Sequence, residues 1–152
     1  RLYSLIGKPL DSIPTIHVGG TNGKGTTCYK LSQFFINNKH QNASTPLTPT
    51  STPVMKTGLF VSPHISCYRE RITLNGKKIT KKEVLQHLPG ILLLCSEHKI
   101  AVTMFEITFI LACKYYQHHE CDVVVLEVGL GGEADATNVI KGMFILRPLS
   151  EM

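Results

Sequence analysis

The chain has 152 residues, of which 43% are hydrophobic and 18% charged, and its formal net charge is +5. That length suits one folded domain with its own core, and that balance excludes a disordered chain. The mild basicity fits either an ordinary soluble surface or one that favours an anionic ligand such as a nucleotide. No run of basic residues and no basic–aromatic interleaving marks a nucleic-acid binder, and no apolar run approaches the length of a membrane span.

The five cysteines, Cys28, Cys67, Cys95, Cys113 and Cys121, form no C-x-x-C pair. This argues against a disulfide framework or a zinc site and for a reducing compartment. The chain opens on Arg1 rather than Met, which leaves room for an upstream leader.

Leu2, Leu5 and Ile6 have the spacing of a last helical turn, which Gly7 and Pro9 then break. Thr15–Val18 is β-rich and short, as in a buried strand. The stretch "IHVGGTNGKGTT", residues 16–27, follows, with four glycines around one lysine. From Thr26 the spacing of Leu31, Phe34 and Phe35 predicts a helix to near Asn38. "HQNASTPLTPTSTPV", residues 40–54, is dominated by Ser, Thr and Pro. It lacks the apolar surface to offset its ordering entropy, so a flexible insertion is predicted over about 40–55. Its Asn42-Ala43-Ser44 sequon carries no weight in a reducing compartment.

Order resumes with a strand over Thr57–Val61, stopped by Ser62-Pro63. "RITLNGKKIT" alternates, with Asn75-Gly76 as a hairpin turn. Thr80 and Glu83 form one capping box, opening a helix to about His98 that Pro89-Gly90 should break or kink. Thr103 and Glu106 form a second, opening an apolar helix from Phe105 to about His118. "DVVVLEVGLGG" reads as a strand buried on both faces of a parallel sheet. After Asn138 a further strand is compatible with the sequence, though "KGMFILRPLSEM" is ambiguous. The fold class is α/β, a mostly parallel sheet with flanking helices, without internal repeats.

A strand feeding a glycine-rich loop and then a helix makes an anion cradle from inward-pointing N–H groups and the positive end of the helix. Lys24 would face the β- and γ-phosphates of a nucleotide, and Thr26 or Thr27 would offer a hydroxyl. The common spacing G-x-x-x-x-G-K-[ST] is not met. Val18 stands where its first glycine would be, and Gly25 follows Lys24. An ordinary flexible loop therefore competes with nucleotide binding on spacing alone. Glu127 lies near the end of the apolar strand, where ligands of such sheets bind, poised either for a magnesium ion on the phosphates or for a lysine at the sheet rim. Ser62, at the end of its own strand, would reach the same crevice, but alone it reads as a turn residue. His118-His119-Glu120-Cys121 invites a metal reading, yet polar residues are common at a helix C-terminus.

Taken together, "HVGGTNGKGTT", "GLFVSPHISCYRERITLNGKKIT" and "FEITFILACKYYQHHECDVVVLEVGLGGEADATNVI" resemble the folylpolyglutamate synthase and dihydrofolate synthase family of the Mur ligase superfamily. The resemblance covers nearly the whole chain apart from the insertion and the last dozen or so residues. It implies a P-loop NTPase-like ATP-binding domain, here partial, with a C-terminal glutamate-ligase domain absent. It also implies an ATP- and Mg²⁺-dependent ligase joining L-glutamate to folate or dihydropteroate through an acyl phosphate. The family's loop G-T-N-G-K-G-[ST] assigns Asn22, Gly23, Lys24, Gly25 and Thr26 to phosphate binding, with Lys24 and Glu127 catalytic. Ser62 and Glu127 become magnesium ligands, and His64, Arg69 and Arg71 fall beside the folate site. Glu106 also matches a family position, but its cap explains it. The same likeness implies a monomer at full length, working in cytosol or mitochondrion, with neither nucleic acid nor membrane as partner. The 152 residues alone are expected to bind Mg-ATP without ligating.

Overall fold

The computed structural model describes residues 1–37, 55–129 and 135–140, and the backbone of 143–146. The predicted insertion and its sequon lie outside the described residues. Helix α1 (Leu2–Leu5) leads to strand β1 (Thr15–Val18), helix α2 (Lys24–Asn37) and strand β2 (Thr57–Phe60). A 3-10 turn (Tyr68–Arg71) then precedes the hairpin β3 (Ile72–Leu74) and β4 (Lys77–Lys78). Helices α3 (Lys81–Glu97) and α4 (Met104–His118), strand β5 (Val123–Glu127), a second 3-10 turn (Ala136–Val139) and strand β6 (Met143–Leu146) complete the order.

The sheet runs β4-β3-β2-β5-β1-β6. Strands β2, β5, β1 and β6 are parallel, with Val18 beside Glu127 and Phe60 beside Leu126 in register, while the hairpin β3–β4 joins β2 antiparallel. Asn75 and Gly76 turn that hairpin with φ of 47° and 74°, the left-handed pair that a two-residue turn needs.

Every residue of β5 is buried, as expected of a strand covered on both faces. Alternation sorts the side chains by face. Val18, Leu59 and Val125 pack with Cys28, Leu31 and Phe35 of α2. Phe60, Val124 and Leu126 belong to the larger core with α1, α3 and α4. Since β5 lies between β1 and β2, one crossover passes over each face, and the chain must part above the strand tips.

Both predicted capping boxes form. The Thr80 and Thr103 hydroxyls accept from the backbone N–H of Glu83 and Glu106, whose carboxylates accept from the two cap N–H groups at 2.7 and 2.6 Å.

Three expectations are corrected. Helix α3 runs unbroken through Pro89. Proline deprives the Leu85 carbonyl of its helical partner, but Leu85, Pro89 and Gly90 all lie on the exposed side, where solvent can serve that carbonyl. Phe34 is 60% exposed, because Cys28 and Ser32, one turn apart, hold the buried line of α2. Helix α2 also starts at Lys24, ahead of the apolar spacing, because the Gly23 carbonyl already accepts from Thr27 N–H at 2.9 Å.

Gly58 faces α4 so closely that a Cβ there would stand 2.8 Å from the Tyr116 ring, whose hydroxyl donates to the Leu59 carbonyl at 2.6 Å. Tyr116 is fully buried and has no space to retreat. Gly58→Ala should therefore cost ~1–3 kcal/mol in urea denaturation. An unchanged midpoint would mean that β2 and α4 do not pack in this register.

Candidate functional site

The tips of β1, β2 and β5 open into a cleft of ≈ 1190 Å³. β1 ends at Val18, and the chain then makes a loop in which Gly20 and Gly23 take φ of 130° and 75°. Those angles suit residues without a Cβ and turn the chain directly into α2. Residues Thr21 to Thr26 line the cleft, so the first turn of α2, with its unpaired N–H groups, faces it. The Lys24 ammonium donates to the Gly20 carbonyl at 2.6 Å and to the Thr21 carbonyl at 3.4 Å. The loop thus curls around its own lysine.

Glu127 closes β5 on the α2 side of the sheet, following Val125 by two residues. It is 5% exposed. A Cβ built on Gly25 would touch its Oε1 at 3.6 Å, which puts the carboxylate against the first turn of α2. The Ser62 backbone N–H donates to Oε2 at 2.8 Å. Burial pushes the carboxyl above its ordinary range, while the Ser62 N–H and the Lys24 charge pull it back. A buried acid thus borders the cleft between a helix N-terminus and a lysine.

Asn22, Gly23, Lys24, Gly25, Thr26, Ser62 and Glu127 all line this one cleft. Arg71 joins them, its guanidinium 4.9 Å from the centre of the Tyr68 ring and its Nε donating to His64 Nδ1 at 3.1 Å. His64 stands behind Arg71 rather than on the cleft wall. Arg69 turns elsewhere, donating to the Ile79 carbonyl at 2.8 Å just before the start of α3. Glu70 organises the intervening loop. Its carboxylate accepts from the N–H groups of Ile65, Ser66 and Cys67 at 3.0, 3.2 and 3.2 Å. The bonds from Ile65 and Ser66, with help from Lys78, hold its pKa down to about 2.

Sequence reasoning missed the far wall. Phe105 and Asp135 line it, with Thr103 and Glu106 beside them. Glu106 therefore both caps α4 and borders the cleft. Gly129 leaves room for that wall: a Cβ would stand 2.5 Å from Asp135 Oδ2 and 2.8 Å from Phe105 Cζ, and those side chains would have to shift. The signal available was the acid in "DATNV" just after a glycine-rich strand end, though nothing in the sequence shows that it folds back over β1. His118 and His119 lie outside the cleft, where His119 Nε2 pairs with Glu83 Oε1 at 3.0 Å.

No family model matches the chain. A dihydrofolate synthase/folylpolyglutamate synthase of Buchnera aphidicola is 36% identical over 124 residues, 81% of this chain and 25% of that protein. The solved folylpolyglutamate synthase of Thermotoga maritima superposes with a TM-score of 0.78 at 33% identity, over 91% of this chain and 30% of that one. A bifunctional folylpolyglutamate synthase/dihydrofolate synthase solved with Mn, AMPPNP and L-glutamate bound superposes at 0.74 and 28% identity, over 95% and 32%. The chain thus spans a quarter to a third of the length of these relatives. Shared sequence over most of its residues, and a shared fold over the same stretch, place the chain in the folylpolyglutamate synthase/dihydrofolate synthase family.

Proposed function

We propose that the cleft binds ATP with a magnesium ion, as the ATP-binding part of a ligase that adds L-glutamate to folate or dihydropteroate. One observation carries this reading: Lys24 and Glu127, far apart in sequence, meet in a single cleft at the first turn of α2. Relatives solved with a nucleotide, a divalent ion and glutamate support it.

The chemistry asks for this arrangement. A carboxylate is a poor electrophile. Its oxygen attacks the γ-phosphorus, ADP leaves, and the acyl phosphate is then open to the amine of glutamate. Phosphate departs as the amide forms and the amine loses its proton. The loop N–H groups and Lys24 would hold the phosphates and stabilise charge as it shifts between oxygens. Among the described residues no group of three or more His, Cys, Asp or Glu could hold a metal by itself. One carboxylate beside a phosphate cradle suits Mg²⁺, which commonly keeps waters and substrate phosphates in its shell. Glu127 and Ser62 would hold it, and it would supply neutralising charge at the phosphates.

Lys24→Ala should weaken ATP binding by about 10- to 100-fold, the worth of a hydrogen bond to a charged group. Unchanged affinity by calorimetry would count against the loop. Glu127→Gln should lower affinity for magnesium-loaded ATP and leave that for metal-free ATP nearly unchanged. Equal losses would assign Glu127 to packing. The same variant carries a sign in stability. A carboxyl that holds its proton more tightly when folded lowers stability once pH passes its unfolded value. Glu127→Gln should therefore raise the thermal midpoint at pH 7, with the gain fading as pH falls toward the ordinary ~4.3. A lower midpoint at pH 7 contradicts the burial argument.

The 152 residues make up only part of the relatives' length, so we expect the isolated stretch to bind nucleotide without turning over. Incorporation of labelled glutamate into dihydropteroate or tetrahydrofolate, coupled to ADP release, would overturn that expectation.

A further inference from the structure

Beneath the far wall of the cleft runs a buried polar chain that phosphate binding does not use. His17 is 1% exposed and lies next to Val18 on β1, so it points to the opposite face from α2, toward the α4 side. Its Nε2 stands 2.5 Å from the hydroxyl of Thr137, which is fully buried. The Thr137 backbone N–H donates to Asp135 Oδ1 at 2.9 Å, and the Thr137 hydroxyl donates to the same oxygen. Asp135 is 7% exposed and lines the cleft, with Oδ2 against Gly129.

The proton order follows from the donor inventory. The Thr137 hydroxyl has a single proton, and it goes to Asp135 Oδ1. The Thr137 oxygen is then left to accept, and His17 must supply an Nε2–H. Burial disfavours the imidazolium, although Asp135 opposes this. The arrangement is a one-way relay, His17 to Thr137 to Asp135, with two donors fixing Oδ1 and orienting Oδ2. A lone Asp135 could rotate, whereas one tied through Thr137 to a central strand cannot do so without breaking buried bonds.

We propose that His17 and Thr137 are positioning residues that fix the Asp135 carboxylate in the cleft as an acceptor for donor groups of the acid substrate. β1 would then set both walls: His17 orients the acceptor on one, and the residues after Val18 form the phosphate loop on the other. The substrate half of this proposal rests on the reading given above; the relay itself does not.

Two measurements separate the halves. Long-range ¹H–¹⁵N spectra of the intact chain should show His17 as the Nε2–H tautomer, with Thr137→Val shifting that proton and Thr137→Ser preserving it. An Nδ1–H tautomer, or a spectrum indifferent to Thr137→Val, overturns the relay. Calorimetry with dihydropteroate as the probe should then show about tenfold weaker binding for His17→Leu and Thr137→Val, the loss of one charge-assisted contact. His17→Gln, whose amide N–H can replace Nε2–H, should recover most of it, and Mg-ATP affinity should stay within about twofold in all three variants. Dihydropteroate affinity that ignores these substitutions, or Mg-ATP affinity that falls in parallel, overturns the positioning role. If the unaltered chain does not bind dihydropteroate, the assignment of the acid substrate fails, and the tautomer still decides the relay.

Discussion

A carboxylate kept almost dry at the tip of the central strand is the constraint around which the rest is arranged. Glu127 ends a strand buried along its whole length, and burial pushes its carboxyl above the ordinary range. Three features oppose that tendency: the Ser62 N–H, the nearby Lys24 charge and the first turn of α2. One comes from the turn after β2 and two from α2, so together they require the parallel order β2-β5-β1. With β5 anywhere but between the other two, the acid would not sit between the glycine-rich loop and the turn after β2.

The cleft has two walls of different chemistry. The α2 wall is made of backbone donors and a lysine, which suits oxyanions. The α4 wall is made of Phe105 and the acceptors Glu106 and Asp135, which suits a flat, donor-bearing organic group. A ligase that activates an acid with ATP needs both within reach of one point. Alternation along β1 and β5 produces the division: Val18, Val125 and Glu127 look toward α2, whereas His17 and Leu126 look the other way.

Local signals were the legible part of this chain. Caps, the Asn75-Gly76 turn and the run of β5 are decided within a few residues, so they could be read directly. The α2 wall was also legible, because the residues that line it follow one another from Asn22 to Thr26. Long-range partnerships were not. Arg69 and Arg71 differ by two positions, yet one supports the entry to α3 and the other enters the cleft. The contact between His17 and Thr137 spans 120 positions, and no pattern in either segment announces it. Pro89 shows the reverse error: a strong local breaker was tolerated because its side of α3 faces solvent.

The most direct measurement uses a paramagnetic ion in place of magnesium. Mn²⁺ added with ATP to the ¹⁵N-labelled chain should broaden the amides of Gly23 through Thr27, Ser62 and Glu127 together, and spare those of α3. Broadening centred on His118 and His119, or on no common cluster at all, would contradict the claim that one cleft holds the triphosphate and its ion.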